Sequence, residues 1–399
     1  MDCKKNLLAM PANSLRIYPW IGVLALLLAC RPQEVADIPS SSAAKGWAFP
    51  GFEKVDSLNP ILVPAPAQSF LDPIRGETVS WEARNVLNPT AVVRGDSVYL
   101  LYRAQDESGT SRIGMAVSAD GLHFGKRPEP VFYPAEDSLK VFEWNYRKSL
   151  PMRPEWEDCA SCFFDGVEDP RVVESESGTY LMTYTAYDGR TARLSLATSS
   201  DLRHWEKHGP VLKGIQYKDY WSKSGALVVA REGNRIVARK LNGKYWMYFG
   251  DTDLYMVSSE DLIHWEPALN AESDALISVL HPRPGYFDSR LVEPGPFALL
   301  REEGILLIYN ASNAANFNDT ELPKFTYAAG QALFHPDRPW QLLERTERYF
   351  IHPDKDYERV GEVNEVCFVE GLVHFRAKWF LYYGTADSRI AVAVYDPFR

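Results

Sequence analysis

The segment Val98-Tyr99-Leu100-Leu101-Tyr102 is the first of five similar apolar stretches along the 399-residue chain. Each copy follows a turn residue and carries aromatic or aliphatic side chains four positions apart, which is typical of a short buried β-strand. The other copies are residues 180–184, 245–249, 305–309 and 379–383. Successive copies are separated by about 60 to 80 residues, a spacing that suits one propeller blade of four short strands.

A second pattern follows the first three copies, at residues 116–124, 197–205 and 257–265. In each, an apolar strand leads into a polar turn and then an aromatic residue, which indicates a hairpin within one blade. Residues 331–340 look like a degenerate fourth copy. No long stretch shows helical periodicity. We therefore expect an all-β fold, a five-bladed β-propeller that occupies residues 49–399 as one domain, although the length alone would allow two or three domains.

The composition of the chain argues against one class of partner and is compatible with another. The chain has 43 Lys and Arg against 53 Asp and Glu, a net charge of −10, and no basic cluster. Nucleic acid is therefore not expected as a partner, because phosphate binding needs clustered cations. The 11 Trp, 21 Tyr and 19 Phe fit a β-rich protein and can also stack on the apolar faces of sugars.

The N-terminus predicts export. Lys4, Lys5 and Arg16 precede an apolar run at residues 20–29, which is too short to span a bilayer but suits a secretory signal. The run ends at Leu27-Leu28-Ala29-Cys30, which resembles a bacterial lipoprotein box. We expect a signal peptide at residues 1–29, lipidation of Cys30, and a flexible tether at residues 30–48 that anchors the protein to a membrane of the cell envelope. An ordinary cleaved signal peptide is the alternative.

The remaining cysteines and histidines give little support to a metal site. Cys159 and Cys162 lack the second pair that a zinc site needs, so they form either a local disulfide or two inert thiols. Cys367 lies in an apolar stretch and is expected in the core. His204 and His264 belong to the repeated hairpin and are expected to be structural. No metal and no cofactor are predicted.

Equivalent strands of a propeller end on one rim, so the residues that follow each copy should converge. These are Arg103, Thr185, Gly250 with Asp251, Asn310 and residues 384–387. Such residues are also frequent in ordinary turns, which is the alternative explanation. Between the first two copies lies Glu168-Asp169-Pro170-Arg171. Carboxylates in a polar pocket of an exported, aromatic-rich protein indicate glycoside chemistry.

Several motifs, in this order, give the chain a resemblance to glycoside hydrolase family 130 over residues 80–397. They are Asn88-Pro89, residues 101–104, 166–171, 221–226, 292–296 and 382–387. The resemblance implies a five-bladed propeller and inversion at a mannosyl centre. It also implies that Asp169 is the general acid, with a proton that can travel through a mannose hydroxyl. That relay would allow an acid–base spacing larger than the about 6.5–9.5 Å of ordinary inverting enzymes.

The departures from the family's phosphorylases favour hydrolysis. Leu291 and Asn310 stand where the phosphorylases carry a phosphate-binding Lys and a His. Glu293 adds a negative charge that should repel phosphate and could deprotonate water. The family's mannosidases place a carboxylate near the position of Asp251, which makes Asp251 the second base candidate. We expect an exo-acting, inverting hydrolase that releases mannose from β-mannosides, with β-1,2 linkages preferred.

Further polar residues should hold the sugar hydroxyls through charge-assisted hydrogen bonds. The expected substrate-binding residues are Asn88, Arg103, Lys223, Asn310 and Asp387. Glu365 and Glu370 could also reach the rim. Two other functions remain open at this stage: a β-mannoside phosphorylase, and a non-catalytic glycan-binding propeller lipoprotein.

Overall fold

The computed structural model describes residues 46–157, 159–316 and 320–398. The predicted signal peptide at residues 1–29, the lipidated Cys30 and the tether up to residue 45 lie outside the described residues. Within them, no helix is long and apolar enough to cross a membrane. Strands are the main regular structure of the described residues and helices are few and short, which confirms the all-β prediction.

The first half of the described chain forms two antiparallel units after three short strands. The short strands are β1 (Glu53–Lys54), β2 (Phe70–Asp72) and β3 (Glu77–Val79). The first unit consists of β4 (Asn85–Arg94), β5 (Ser97–Gln105), β6 (Thr110–Ser118) and β7 (Gly125–Lys126). The second consists of β8 (Asp165–Glu174), β9 (Tyr180–Tyr187), β10 (Ala192–Ser199) and β11 (Glu206–Pro210).

Three further units complete the fold. The third contains β12 (Ala226–Glu232), β15 (Lys244–Phe249), β16 (Tyr255–Ser259) and β17 (Glu266–Pro267). Two short strands, β13 (Arg235–Ala238) and β14 (Lys240–Leu241), are inserted between β12 and β15. The fourth contains β18 (Leu291–Arg301), β19 (Gly304–Ser312), β20 (Tyr327–His335) and β21 (Arg338–Arg345). The last contains β22 (Cys367–Phe375), β23 (Lys378–Thr385) and β24 (Arg389–Tyr395).

Helical structure is confined to the connections. The two α-helices are α1 (Lys140–Glu143) and α2 (Asp356–Arg359), each of one turn. Four 3₁₀ turns lie at Tyr146–Ser149, Pro154–Trp156, Ala160–Phe163 and Ile215–Tyr217. Three of the connections are long enough to build walls around a site: those between β7 and β8, between β17 and β18, and between β21 and β22.

The five units are arranged in a circle. The first strand of each unit, namely β4, β8, β12, β18 and β22, contacts the first strand of the next, and β22 packs against β4. All five repeated segments lie in the second strand of a unit, β5, β9, β15, β19 or β23. The predicted repeat is therefore a structural repeat. Each copy runs antiparallel to the first strand of its unit, so it ends at the edge where that first strand begins. The copies therefore end on the same side of the circle.

The N-terminal strand completes the last unit. β1 pairs antiparallel with β24, with Glu53 opposite Val394 and Lys54 opposite Ala393. The first and last strands of the described residues therefore share one sheet, which ties the circle together. Trp47, two residues before the predicted domain boundary, is also buried in the core. The predicted boundary itself remains a prediction.

The second sequence pattern forms a recurring turn. In the second unit, the Asp201 side chain accepts backbone hydrogen bonds from Arg203 and His204, both at 2.8 Å, and its other oxygen contacts the His204 ring at 2.7 Å. Equivalent bonds surround Asp120 and Asp261. They hold the intervening residue, which is a glycine in one copy and a leucine in two, at positive φ. The predicted hairpins and the structural role of His204 and His264 are confirmed.

The cysteines are now assigned. Cys159 and Cys162 form a disulfide with a Cα–Cα distance of 5.3 Å. Of the two alternatives left open by the sequence, the structure shows the local bridge. Cys367 is fully buried in the core of the last unit, as expected.

A buried ion-pair cluster fastens the β2–β3 hairpin to the first unit. The Arg112 guanidinium is fully buried, donates to Asp106 Oδ2 at 2.9 Å and also bonds Asp72 on β2. Removing one partner of a buried pair leaves an uncompensated charge, at a cost of about 3–5 kcal/mol.

We expect Arg112→Met to lower the free energy of unfolding by about that amount, measured by urea denaturation. The control is Arg348→Met, because Arg348 is an exposed residue paired with Glu321 and its loss should change stability by less than about 1 kcal/mol. An equal effect of the two substitutions would contradict the role given to Arg112.

Candidate active site

Bulges in the first strands carry the polar residues of the site. The pairing of β4 with β5 shifts between Leu87 and Pro89, that of β8 with β9 between Glu168 and Arg171, and that of β22 with β23 between Val369 and Gly371. The residues within these bulges are Asn88, Asp169 with Pro170, and Glu370. Asn88 and Asp169 have φ of 47° and 50°. Such conformations are uncommon and re-aim a side chain out of the sheet.

Asp169 is the most heavily coordinated carboxylate of the site. It accepts hydrogen bonds from Asn88 Nδ2 at 2.9 Å and Arg103 Nη1 at 3.3 Å, and it lies 3.6 Å from Lys223 Nζ. Burial alone would raise the pKa of Asp169, but the positive charges of Arg103 and Lys223 outweigh burial and lower it. In this geometry Asp169 carries negative charge.

Glu168 behaves in the opposite way. Its carboxylate accepts from Arg103 Nη2 at 2.7 Å and from Ser111 Oγ at 3.2 Å. Burial raises the pKa of Glu168, and the neighbouring charge of Asp169 adds to the rise while Arg103 opposes it. One guanidinium thus joins two carboxyl groups, with the proton favoured on Glu168 and the charge on Asp169.

Lys223 links Asp169 to Glu293. Its Nζ is 3.2 Å from Glu293 Oε1, which also accepts a hydrogen bond from Ser224. The two lysine distances limit the separation of these two carboxylate oxygens to at most about 6.8 Å, which is at or below the lower end of the range for inverting acid–base pairs. The larger spacing that the sequence allowed is therefore not observed.

Glu293 is itself fully buried on β18. Burial raises the pKa of Glu293, Lys223 opposes this, and the charge of Asp251 adds to the rise. A buried carboxylate with an elevated pKa is a better proton acceptor than an ordinary glutamate, provided that it starts ionised.

Asp251 lies at the edge of the pocket. It is half-buried, and its Oδ2 accepts a hydrogen bond from Trp221 Nε1 at 2.7 Å. The Trp221 ring is 48% exposed and stands edge-on to Tyr187 at 6.2 Å. An exposed indole fixed by a carboxylate is a suitable platform for a sugar ring.

Asp387 is a residue that the last unit contributes to the site. Burial, with the charges of Asp169 and Glu293, raises the pKa of Asp387 to about 6, against the opposing charge of Arg103. Gly384, on the same strand end, allows the close approach of this unit to the first, since a Cβ there would lie 2.5 Å from Asn88 Oδ1. The sequence prediction that Arg103, Asp169 and Asp387 share one pocket agrees with this arrangement.

Asn310 does not fit the role that the sequence suggested. It is fully buried, its Nδ2 donates to the carbonyl of Val369 at 2.9 Å, and its Oδ1 accepts from the Val369 amide at 2.7 Å. Val369 lies on the innermost strand of its unit, where one edge has no strand partner. Asn310 satisfies that edge and joins the fourth unit to the fifth. Both ends of the Asn310 amide are thus used within the fold, and the expectation that Asn310 binds substrate stays a prediction that these contacts do not support.

Arg171 and Glu370 form the floor beneath the carboxylates. Arg171 donates to the carbonyls of Gly295 at 2.7 Å and Pro294 at 2.8 Å, and its Nη1 is 3.0 Å from Glu370. Both residues are buried, and burial raises the pKa of Glu370 well above its usual range. Glu370 thus lies below the pocket and not on its rim. Glu365 is half-buried, and its carbonyl accepts a bond from the Tyr327 amide.

Sequence reasoning missed Tyr327 as a member of the site. Burial and the charge of Glu293 raise the pKa of Tyr327 to about 12, against the opposing charges of Lys223 and Arg290, which places its phenol within electrostatic reach of the base candidate. Tyr327 begins β20, a third strand, and third strands carried no repeated pattern pointing to the rim. Glu168 was visible in its motif but received no role.

The pocket combines the Glu168–Asp169 pair, which holds a proton, with a third carboxyl group, that of Glu293, on the other side of Lys223. In residues 46–157, 159–316 and 320–398, no group of three or more His, Cys, Asp and Glu side chains is arranged to hold a metal ion. Carboxyls held this close, with the pKa of Asp169 lowered and those of Glu168 and Glu293 raised, can give and take protons at neighbouring positions of a polyhydroxyl ligand.

Comparison with known proteins extends this result. The model of glycoside hydrolase family 130, described as beta-1,4-mannooligosaccharide phosphorylase, matches residues 64–397. A curated relative, the 1,2-beta-oligomannan phosphorylase of Thermoanaerobacter sp. (strain X514), is 28% identical over 79% of this chain and 91% of its own length.

Solved structures are also similar. A putative glycosidase from Bacteroides thetaiotaomicron VPI-5482 is 42% identical, covers 88% of this chain and 99% of its own, and superposes with a TM-score of 0.81. A second structure is described as showing that the GH130 family of mannoside phosphorylases contains glycoside hydrolases that target beta-1,2 mannosidic linkages in Candida mannan. It is 37% identical, covers 89% of this chain and 96% of its own, and has a TM-score of 0.82. On these matches the chain belongs to glycoside hydrolase family 130.

Proposed function

We propose that this protein is an inverting exo-β-mannosidase, built on a five-bladed β-propeller, that releases mannose from β-1,2-linked manno-oligosaccharides. The five units in a circle support the propeller. Family membership and the likeness to the structure described with β-1,2-specific hydrolases support the substrate class. The observation that carries the choice of hydrolysis is the buried contact of Lys223 with both Asp169 and Glu293.

That contact disfavours phosphate as the attacking group. Lys223 is the cation best placed to receive an anion beside the base candidate, but two buried carboxylates already share its charge. Glu293 and Asp251 would both repel a phosphate dianion in a pocket of low dielectric constant. Water carries no charge and can be held by the same carboxylates, which makes it the better nucleophile here.

In the proposed reaction the bond between mannose C1 and the bridging oxygen breaks while a water oxygen bonds C1 from the opposite face. Glu293 accepts the proton of that water. The Glu168–Asp169 pair supplies the proton that the leaving oxygen takes up, either directly or through a mannose hydroxyl. The sugar product is the α-anomer, and the second product is the shortened chain with a free hydroxyl.

The remaining polar residues position the sugar. Asn88 and Arg103 hold Asp169 and line the same space, so they can fix both the acid and a substrate hydroxyl. Asp387 and Asp251 are half-buried carboxylates that can accept hydroxyl hydrogen bonds. Trp221 offers its exposed face to an apolar side of the ring.

β-Mannoside phosphorylase is the second candidate function. The curated relatives support it, because the one described above and a β-1,2-mannobiose phosphorylase that is 27% identical over 82% of this chain both carry out phosphorolysis by name.

Export and lipid attachment through Cys30 are part of the main proposal, supported by the Leu27-Leu28-Ala29-Cys30 sequence. Cell fractionation tests this, because Cys30→Ser should move the protein out of the membrane fraction.

The deciding experiment is incubation with β-1,2-mannobiose, with and without inorganic phosphate, followed by identification of the products. We expect mannose at the same rate in both reactions. Asp169→Asn, which keeps the size of the side chain, should be inactive in both. Mannose 1-phosphate formed only with phosphate would establish the phosphorylase. No turnover by the native protein, with binding retained, would indicate the non-catalytic function.

Replacing the base should separate Glu293 from Asp251. Glu293→Gln keeps size and polarity but cannot accept a proton, so we expect turnover of mannobiose to fall by about 10²-fold or more with little change in affinity. Asp251→Asn should affect KM more than kcat. If Asp251→Asn abolishes turnover while Glu293→Gln stays active, the base is Asp251.

The pH dependence of kcat/KM should be bell-shaped. Glu293 must lose its proton to act, so activity falls at low pH through a pKa above that of an ordinary glutamate. The carboxyl pair must keep a proton, so activity falls at high pH through the raised pKa of Glu168. In Glu168→Gln, Asp169 alone must hold the proton, and Arg103 and Lys223 keep its pKa low. We expect the high-pH limb to move down by more than about one pH unit.

The matched control is Glu174→Gln, on the same strand but paired with Arg235 outside the pocket. A high-pH limb that stays in place in Glu168→Gln would show that Glu168 does not carry the catalytic proton.

A further inference from the structure

A cavity of about 820 Å³ lies beside the first unit and uses none of the residues assigned to the active site. The β2–β3 hairpin, the loop after β5 and the long connection between β7 and β8 build its walls. Its lining includes Arg75, Trp144, Lys148, Leu150 and Met152. Its volume is within the range of about 300–1,000 Å³ that ligand sites occupy.

One lining residue of the cavity, Lys148, is linked to the acid side of the active site through hydrogen bonds on β6 and β8. Lys148 donates to Asp165 Oδ1 at 2.6 Å and also bonds Thr110. Thr110 pairs with Asp165 in the parallel contact of β6 with β8, and the next residue, Ser111, donates to Glu168. Thr110 and Ser111 are neighbours on β6, so one residue separates the contact of Lys148 from the contact of Glu168, although the two side chains point to opposite faces of the strand.

A second wall leads to the opposite side of the active site. Arg84 donates to both oxygens of Glu362, at 2.8 and 3.1 Å, across the gap between the first and fifth units. The Glu362 amide donates to Ser388 Oγ at 2.9 Å, next to Asp387. The cavity thus adjoins the active site at two points, and a chain leaving that site could enter it.

Three of the four cations that line the cavity are already ion-paired, and the fourth, Arg147, lies over the Trp156 ring. Lys148 is paired with Asp165, Arg84 with Glu362, and Arg75 lies 3.8 Å from Asp106 and 4.0 Å from Glu77. A strongly anionic ligand would find no unpaired cluster of cations. The paired groups nevertheless keep free lone pairs and N–H groups, which suits the hydroxyls of a neutral polyol.

Apolar groups complete the lining. Trp144 is half-buried, while Leu150 and Met152 are 40% and 63% exposed. The disulfide loop steadies this side, because Asn145 Nδ2 donates to the carbonyl of Cys162 at 2.9 Å. An amphipathic, rigid surface of this kind matches a sugar ring, which has polar edges and apolar faces.

We propose that this cavity is a distal glycan-binding site, which holds sugar units of the substrate chain beyond the two that flank the cleaved bond. The proposal rests on the proposed function, since an exo-acting enzyme encloses the terminal mannose and leaves the rest of the chain to extend outward. The cavity then makes the protein select longer oligosaccharides over the disaccharide.

The test compares kcat/KM for β-1,2-mannotetraose and β-1,2-mannobiose. We expect the native protein to prefer the tetraose by about tenfold, which corresponds to about 1.4 kcal/mol. Trp144→Ala should bring the ratio close to one. Leu150→Ala combined with Met152→Ala, at more exposed positions, should lower it without a risk to folding. The control is Trp340→Ala, an equally large substitution at a tryptophan that is 48% exposed and outside the cavity lining, which should leave the ratio unchanged.

Binding by the Asp169→Asn protein separates this proposal from the proposed function. Calorimetry should show tighter binding of the tetraose than of the biose, and the added Trp144→Ala substitution should remove the difference. Equal affinities, or a kcat/KM ratio that no cavity variant changes, would overturn the distal site. Native protein that binds the tetraose in this way but turns over no mannoside would overturn the proposed function alone.

Discussion

The ammonium group of Lys223, held between the carboxylates of Asp169 and Glu293, is the interaction on which the site depends. Both acids are almost fully buried, and burial of two unpaired carboxylates near each other would be very costly. The shared cation makes their proximity possible and sets their separation. The same contact also occupies the charge that an incoming phosphate would need, so the electrostatics that stabilise the site also bear on the choice of nucleophile.

The fold supports this contact by bringing strands from all five units to one axis. The bulges in β4, β8 and β22 turn side chains toward neighbouring units instead of along the sheet. Arg171 and Asn310 then tie the units together through main-chain carbonyls and amides of the fourth and fifth units. Rigid positioning of this kind is what a catalytic carboxyl pair requires, since small displacements cost large factors in rate.

Much of this could be predicted from the sequence, and the failures have a physical cause. The repeated strands and turns depend on local patterns, so both were visible, and Asp169 and Glu293 could be picked out within short motifs. The structural use of the Asn310 amide was not visible, because the free edge of β22 that it satisfies belongs to a strand nearly 60 residues away. Tyr327, the bulges and the cavity likewise arise from contacts between distant segments, which no local pattern records.

The central claim is that a water molecule attacks the mannosyl carbon directly. Glu293, which lies on the other side of Lys223 from the Glu168–Asp169 pair, activates that water. Turnover of the methyl glycoside of β-1,2-mannobiose in H₂¹⁸O, whose second product is methyl mannoside and not free mannose, followed at early times by NMR and mass spectrometry in the presence of phosphate, tests it most directly. The account predicts that the first-formed product is α-mannose with one ¹⁸O atom at C1. Early formation of β-mannose, or unlabelled mannose derived from mannose 1-phosphate, would contradict it.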